Sequence, residues 1–200
     1  MEAVLFDLGA VLIDWNPRYL YRPLFKGDDA AMERFLEEIV PNWWNREIDA
    51  GKPFADAVAE RIREFPGHAQ MISLWKDRWE AMLQDAIHDS VDILAELRSR
   101  GYRLYALTNW SAETFPLARR RFGFLEWFED IVVSGEVGLA KPDPRIFALT
   151  IDRCRLNPAH TLFIDDSPHN VDAGRNAGLH ALHFQSPAGL RSDLTRMGLL

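Results

Sequence analysis

Leu5-Phe6-Asp7-Leu8-Gly9-Ala10-Val11-Leu12-Ile13-Asp14 is the stretch around which the rest of the chain is read. Val4, Leu5 and Phe6 make a short apolar run that stops at a carboxylate. A run of this kind suits a strand buried on both faces. A carboxylate at its C-terminal end lies where open α/β sheets place their ligands. It can equally cap the turn that follows. The stretch alone leaves both readings open. Gly9 and Ala10 are small, as a tight loop needs.

The rest of the chain decides between them. From residue 89 helix and strand patterns alternate. A helix over 90–100 ends at Gly101, and a strand over 103–107 runs into Thr108-Asn109. Ser111 is placed to cap the next helix. A strand over 130–134 leads through a loop to Lys141-Pro142-Asp143-Pro144, and a helix follows over 145–154. A strand over 160–164 ends at Asp165-Asp166. A helix to Ala177, a strand over 179–184 and a terminal helix over 187–197 complete the pattern. This alternation predicts a parallel sheet covered on both sides.

Residues 17–88 break the pattern. Strand signals vanish there, and helical periodicity appears over 30–40, 54–65 and 69–82, interrupted at Pro41, Gly51-Lys52-Pro53 and Pro66-Gly67. The reading is a helical subdomain at 17–88 inserted into an α/β core of 1–16 and 89–200. Trp43, Trp44, Trp75 and Trp79 lie in the insert and read mainly as its core. Trp43 and Trp44 are adjacent, so one helix cannot turn both into one core. One of them is a candidate for a substrate slot or a partner surface. No code for a substrate is visible in the insert.

The bulk properties narrow the function. Hydrophobic residues are 48% and charged residues 26% of the 200, with a net charge of −7. That is enough apolar material for a core, and the charge argues against nucleic-acid or anionic-membrane partners. Arg119-Arg120-Arg121 reads as a solvated helix face. The single cysteine, Cys154, forms no internal disulfide and sits in a helical apolar pattern, so it reads as a small core residue. No signal peptide or membrane span is apparent. The expectation is a cytoplasmic monomer or homodimer.

Four strand ends and loops carry chemistry-bearing residues. Asp7, Thr108-Asn109, Lys141 and Asp165-Asp166 can all converge, because a parallel sheet presents its C-terminal ends on one rim. Three carboxylates around one point repel unless a cation lies between them, and oxygen-only ligands suit Mg²⁺. A lysine, a hydroxyl and an amide form a donor set for a phosphoryl group. Together these are the groups needed for carboxylate attack on a phosphate ester.

With these four motifs in this order, the chain resembles the haloacid dehalogenase superfamily of hydrolases, whose fold is a Rossmann-like sheet with an inserted cap. The opening Phe6-Asp7-Leu8-Gly9 and the Lys141-Pro142-Asp143-Pro144 segment resemble the branch holding sugar-phosphate phosphatases and the N-terminal domain of soluble epoxide hydrolases. The resemblance implies a Mg²⁺-dependent phosphatase acting on a small phosphate ester. It implies Asp7 as nucleophile and metal ligand, the Gly9 carbonyl as a further ligand, and Asp166 as the main fourth-motif ligand. Asp165 is then on the metal or its waters. Thr108 and the amide of Asn109 hold phosphate oxygens, Lys141 neutralises Asp7 and the phosphate, and Asn170 supports the fourth-motif loop. Asp14, Arg18 and Arg46, near the hinge or in the cap, read as solvated or structural, with substrate contact as the alternative.

One departure matters. Most phosphatases of the family carry a second Asp two residues after the nucleophile, and here that position is Gly9. General acid/base catalysis is commonly worth ~10²–10⁴ in rate. Asp14 and His169 are the substitutes the sequence offers. The gap also keeps two other readings open: a metal-independent 2-haloacid dehalogenase using Asp7, and a binder of phosphorylated ligands without turnover. Against the dehalogenase, Asp165 and Asp166 replace the uncharged residues that a haloacid anion tolerates.

Overall fold

A computed structural model describes all 200 residues. Its centre is a five-stranded parallel sheet. In chain order the strands are β1 (Ala3–Phe6), β4 (Arg103–Thr108), β5 (Asp130–Val133), β6 (Thr161–Asp165) and β7 (His180–His183); β2 and β3 lie outside it. The spatial order is β5-β4-β1-β6-β7, so the opening strand lies in the middle, between β4 and β6. Every residue of β1 is buried. Val4 and Phe6 join one core cluster, whereas Ala3 and Leu5 join another on the opposite face. That two-sided burial is why the strand reads as a continuous apolar run rather than an alternating one.

Helices cover both faces. On one side α6 (His88–Ser99) contributes Ile93, Leu94 and Leu97, and α11 (Pro187–Arg196) contributes Leu190 and Leu194. On the other, α9 (Pro144–Arg153) packs Ile146 and Phe147 against Leu5 and Phe163. Two more helices close the α/β layer: α7 (Phe115–Arg121) and α10 (Pro168–Asn176). Ser111 does not cap α7 directly. Its hydroxyl accepts from the Glu113 N–H in a turn, and α7 begins later, with Pro116 in its first turn. Cys154 ends α9, 5% exposed, and burial pushes its thiol up to about 11.

Two strands were not foreseen. β2 (Ile13–Trp15) and β3 (Leu83–Ala86) form a separate antiparallel ribbon, pairing Ile13 with Ala86 and Trp15 with Leu83. Their sequences, Ile-Asp-Trp and Leu-Gln-Asp-Ala, are too short and too polar for a strand signature. Their partner lies far along the chain, so local pattern contains nothing of it.

The regular elements between the ribbon's strands are all helical. They include α1 (Arg18–Tyr21), α2 (Asp29–Arg34) running into a π-helical turn at Phe35–Ile39, α3 (Asn42–Asp49), α4 (Phe54–Glu64) and α5 (Ala69–Asp77). The π turn leaves carbonyls without helical partners. Buried Arg61 answers them, donating to Ile39 O and Glu38 O. Trp75 anchors the region, packed against Trp44, Tyr21 and Trp15. Trp44 is therefore core and Trp43 is outside, 55% exposed with Arg61 over its ring. No helix is long and apolar enough to cross a membrane.

Candidate active site

The rim of the sheet brings the predicted residues together. β4, β1 and β6 are neighbours, so Thr108, Asp7 and Asp165 emerge side by side at their C-terminal ends. Asp7 directly follows β1. Its N–H donates to Ile164 O at 2.8 Å, and its Oδ1 accepts from the Leu8 N–H at 2.7 Å. These bonds aim the carboxylate off the strand end. Asp7, Asp165 and Asp166 can place one oxygen each within 4.8 Å of one another.

Lys141 reaches the same point from the loop after α8 (Ser134–Val137). Its side chain is fully buried, with Nζ 2.6 Å from Asp165 Oδ2 and 3.0 Å from Asp7 Oδ2. The loop that carries it is fixed by Asn109. The Asn109 Oδ1 accepts from the Lys141 N–H at 2.8 Å, and its Nδ2 donates to Lys141 O at 2.9 Å. The side-chain amide of Asn109 is thus committed to the lysine loop. The backbone N–H is what remains for a ligand.

Asp165 is the most constrained of the carboxylates. It accepts from Ser167 N–H at 2.8 Å, from Asn170 Nδ2 at 3.0 Å and from Lys141. Asn170 thus lies against the Asp165-Asp166 loop. Asp166 is exposed by comparison.

The charges do not balance. Three carboxylates face one ammonium, in a site where Asp7 is 8% and Asp165 0% exposed. Burial pushes Asp7 up to about 8; Asp165 and Asp166 add to the rise, and Lys141 opposes it. Burial also raises Asp166, with Asp165 adding to it. Burial alone would lower Lys141, but Asp165 and Asp7 outweigh it and hold the ammonium charged. Buried charge of one sign calls for a compensating cation, and an all-oxygen donor set suits a hard one. The Gly9 carbonyl, two residues after Asp7, accepts no hydrogen bond within the protein.

Above this floor lies a cavity of about 180 Å³. Gly9, Asn109, Lys141, Ser167 and Asn170 line it from the sheet side, and Asn42, Asn45, Arg46 and Asp49 from α3. Trp15, Trp79 and Trp110 supply apolar wall. Arg46 thus faces the cavity. Asp14 does not: it accepts from the Tyr19 hydroxyl at 2.6 Å on the surface. Arg18 is tied to Glu33 at 2.6 Å, and His169 is exposed and outside the cavity lining.

Sequence reading missed Asp49. Burial pushes its carboxyl up to about 8; a Ser111 backbone N–H and Arg46 pull the other way, and the Asp7 charge adds to the rise. Asn45 Nδ2 donates to Asp49 Oδ2 at 2.8 Å, while Asn45 Oδ1 accepts from the Trp75 indole at 3.2 Å. The available signal was a carboxylate at a helix end just before the Gly51-Lys52-Pro53 break.

Comparison with known proteins agrees with this fold. The family model described as haloacid dehalogenase-like hydrolase matches residues 1–178. A D-ribitol-5-phosphate phosphatase from Bacteroides thetaiotaomicron is 23% identical over 208 residues, covering 98% of this chain and 97% of that protein. A HAD family enzyme from the same organism, solved with magnesium and inorganic phosphate, superposes with a TM-score of 0.70 at 26% identity, over 92% of this chain and 94% of that one. The L-2-haloacid dehalogenase of Xanthobacter autotrophicus, solved with chloropropionic acid covalently bound, shares the fold at a TM-score of 0.64 and 16% identity, over 100% of this chain and 84% of that one.

Proposed function

The chain belongs to the haloacid dehalogenase-like hydrolases, and we propose that within them it is a Mg²⁺-dependent phosphatase that hydrolyses a small phosphorylated metabolite through an aspartyl-phosphate on Asp7. The observation that carries this reading is the Asp7–Lys141–Asp165 chain set beside Asp166 at one sheet rim. The related phosphatase acts on a phosphorylated polyol, and a cavity of about 180 Å³ suits a leaving group of that size.

In this reading an Asp7 oxygen attacks phosphorus and the ester oxygen departs. Lys141, the Thr108 hydroxyl and the Asn109 N–H hold the phosphoryl oxygens as their charge grows. Water then cleaves the aspartyl-phosphate and regenerates Asp7. Asp7, Asp166 and the Gly9 carbonyl would hold Mg²⁺, with Asp165 on the metal or its waters; when bound it offsets the charge of the carboxylates and the phosphoryl group. The segment 17–88 acts as a cap over a core of 1–16 and 89–200, and the β2/β3 ribbon marks the joint.

The dehalogenase reading draws on Gly9, since halide leaves without a proton. The acidic pair Asp165-Asp166 weighs against it, because two carboxylates repel a haloacid anion. The test is hydrolysis of p-nitrophenyl phosphate with Mg²⁺, beside halide release from 2-chloropropionate. Phosphatase activity that EDTA removes, and that Asp7→Asn lowers by about 10⁴-fold or more, is the expected result. Full activity in EDTA would falsify the metal role, and halide release without phosphatase activity would reverse the two readings.

A further inference from the structure

The phosphatase reading leaves a proton unassigned. A departing alkoxide is a poor leaving group unless it is protonated. Gly9 supplies no side chain, and an added Cβ there would meet nothing within 4 Å, so no neighbour fills the gap. Asp165 is already bound by Lys141, Asn170 and Ser167. Asp14 and His169 lie outside the cavity.

Among the residues that line the cavity, one carries a carboxyl: Asp49, on the cap side, across from the Lys141 floor. We propose that Asp49 is the general acid and base of this enzyme, delivered from the cap instead of from the loop after the nucleophile. This rests on the phosphatase reading above.

Three features fit Asp49 for the role. Its carboxyl is oriented by a buried relay in which the Trp75 indole fixes the Asn45 amide and Asn45 donates to Asp49. Its own carbonyl accepts from the Ser134 hydroxyl at 2.5 Å, which locks the end of α3 to the end of β5. Its surroundings favour the neutral acid: it is half-buried in the cavity wall, and that burial pushes its carboxyl up.

The cycle balances. An Asp7 oxygen bonds to phosphorus, the bond from phosphorus to the ester oxygen breaks, and the Asp49 proton passes to that oxygen, which leaves as the alcohol. Water next gives a proton to the Asp49 carboxylate while its oxygen bonds to phosphorus. The bond to Asp7 breaks with its electron pair returning to the carboxylate, phosphate is released, and Asp49 is again an acid.

The test uses Asp49→Asn in the full chain with Mg²⁺, on 2,4-dinitrophenyl, p-nitrophenyl and phenyl phosphate. These esters differ in how much their leaving oxygen needs a proton. Because kcat/KM reports formation of the phosphoenzyme, the variant should stay within about 3-fold of the parent on the dinitrophenyl ester. On phenyl phosphate it should fall by about 10²-fold or more. Its kcat should fall on all three, with phosphoenzyme accumulating, because water activation is also lost. Near-parent kcat/KM on the dinitrophenyl ester also reports an intact fold. An equal loss of kcat/KM on all three esters, or no loss of kcat/KM on any, overturns the assignment of Asp49 and leaves the phosphatase reading standing. A parent enzyme inactive on all three refutes that reading itself.

Discussion

Lys141 is the residue on which the charge balance of the site turns. Its ammonium is the one cation between Asp7 and Asp165, and its side chain is fully buried. Removing one partner of such a group leaves uncompensated buried charge, which typically costs about 3–5 kcal/mol. Lys141→Met should therefore lower the thermal midpoint by several degrees as well as abolish turnover, and Mg²⁺ should restore part of the lost stability. Calorimetry with and without Mg²⁺ checks this; an unchanged midpoint without metal would show that the carboxylates are relieved some other way. The residues of this cluster were legible from sequence because each ends or follows a strand of a parallel sheet. Asp49 was not, because nothing local tells a helix-end carboxylate that it faces a strand end from another part of the chain. Nor was the reciprocal Asn109–Lys141 bonding, which commits Asn109's side chain to the lysine loop.

At the scale of elements, the loop after β4 is held against the start of α8 by tight backbone contacts. Gly135, at the start of α8, packs so closely that an added Cβ would lie 2.4 Å from Ala112 N and 2.8 Å from Trp110 O. Those neighbours are backbone and cannot rotate away. The displaced loop carries Ser111 and adjoins Asn109. Gly135→Ala should therefore leave the circular dichroism spectrum native while lowering kcat by roughly 10²-fold, the scale of a misplacement near 1 Å. Parent-like kcat would show that the loop can yield without moving the site. The same loop is tied to the 17–88 segment through Glu113, whose carboxylate accepts from the Phe54 N–H at the start of α4, at 2.8 Å. Sequence pattern located the sheet strands and most helices to within a few residues, since buried strands and amphipathic helices write their periodicity locally. It lost β2 and β3, whose three or four residues gain their structure only from pairing with each other.

At the scale of the whole molecule, the apolar interior does not stop at the bounds of the 17–88 segment. A single cluster runs from Val4, Phe6 and Ile164 in the sheet through Leu12, Met82 and Trp79 to Trp75, Trp44 and Ile72 in the insert. Units that share a core unfold together. Thermal or urea unfolding should therefore give one transition, with far-UV circular dichroism and tryptophan fluorescence coinciding. Resolved transitions for the two signals would show that the insert melts on its own.

The β2/β3 ribbon has a consequence for how such a protein can change over evolutionary time. The chain enters and leaves the insert through two strands lying side by side, so the segment between them can be exchanged for another without rerouting the sheet. In this protein that exchange would carry off the α3 wall of the cavity, Asp49 with it. If Asp49 moves the proton, that wall and half of the chemistry are inherited as one piece. A lineage that replaced its insert would then have to recover an acid in the same event. The open space beside Gly9 is where a single substitution could provide one.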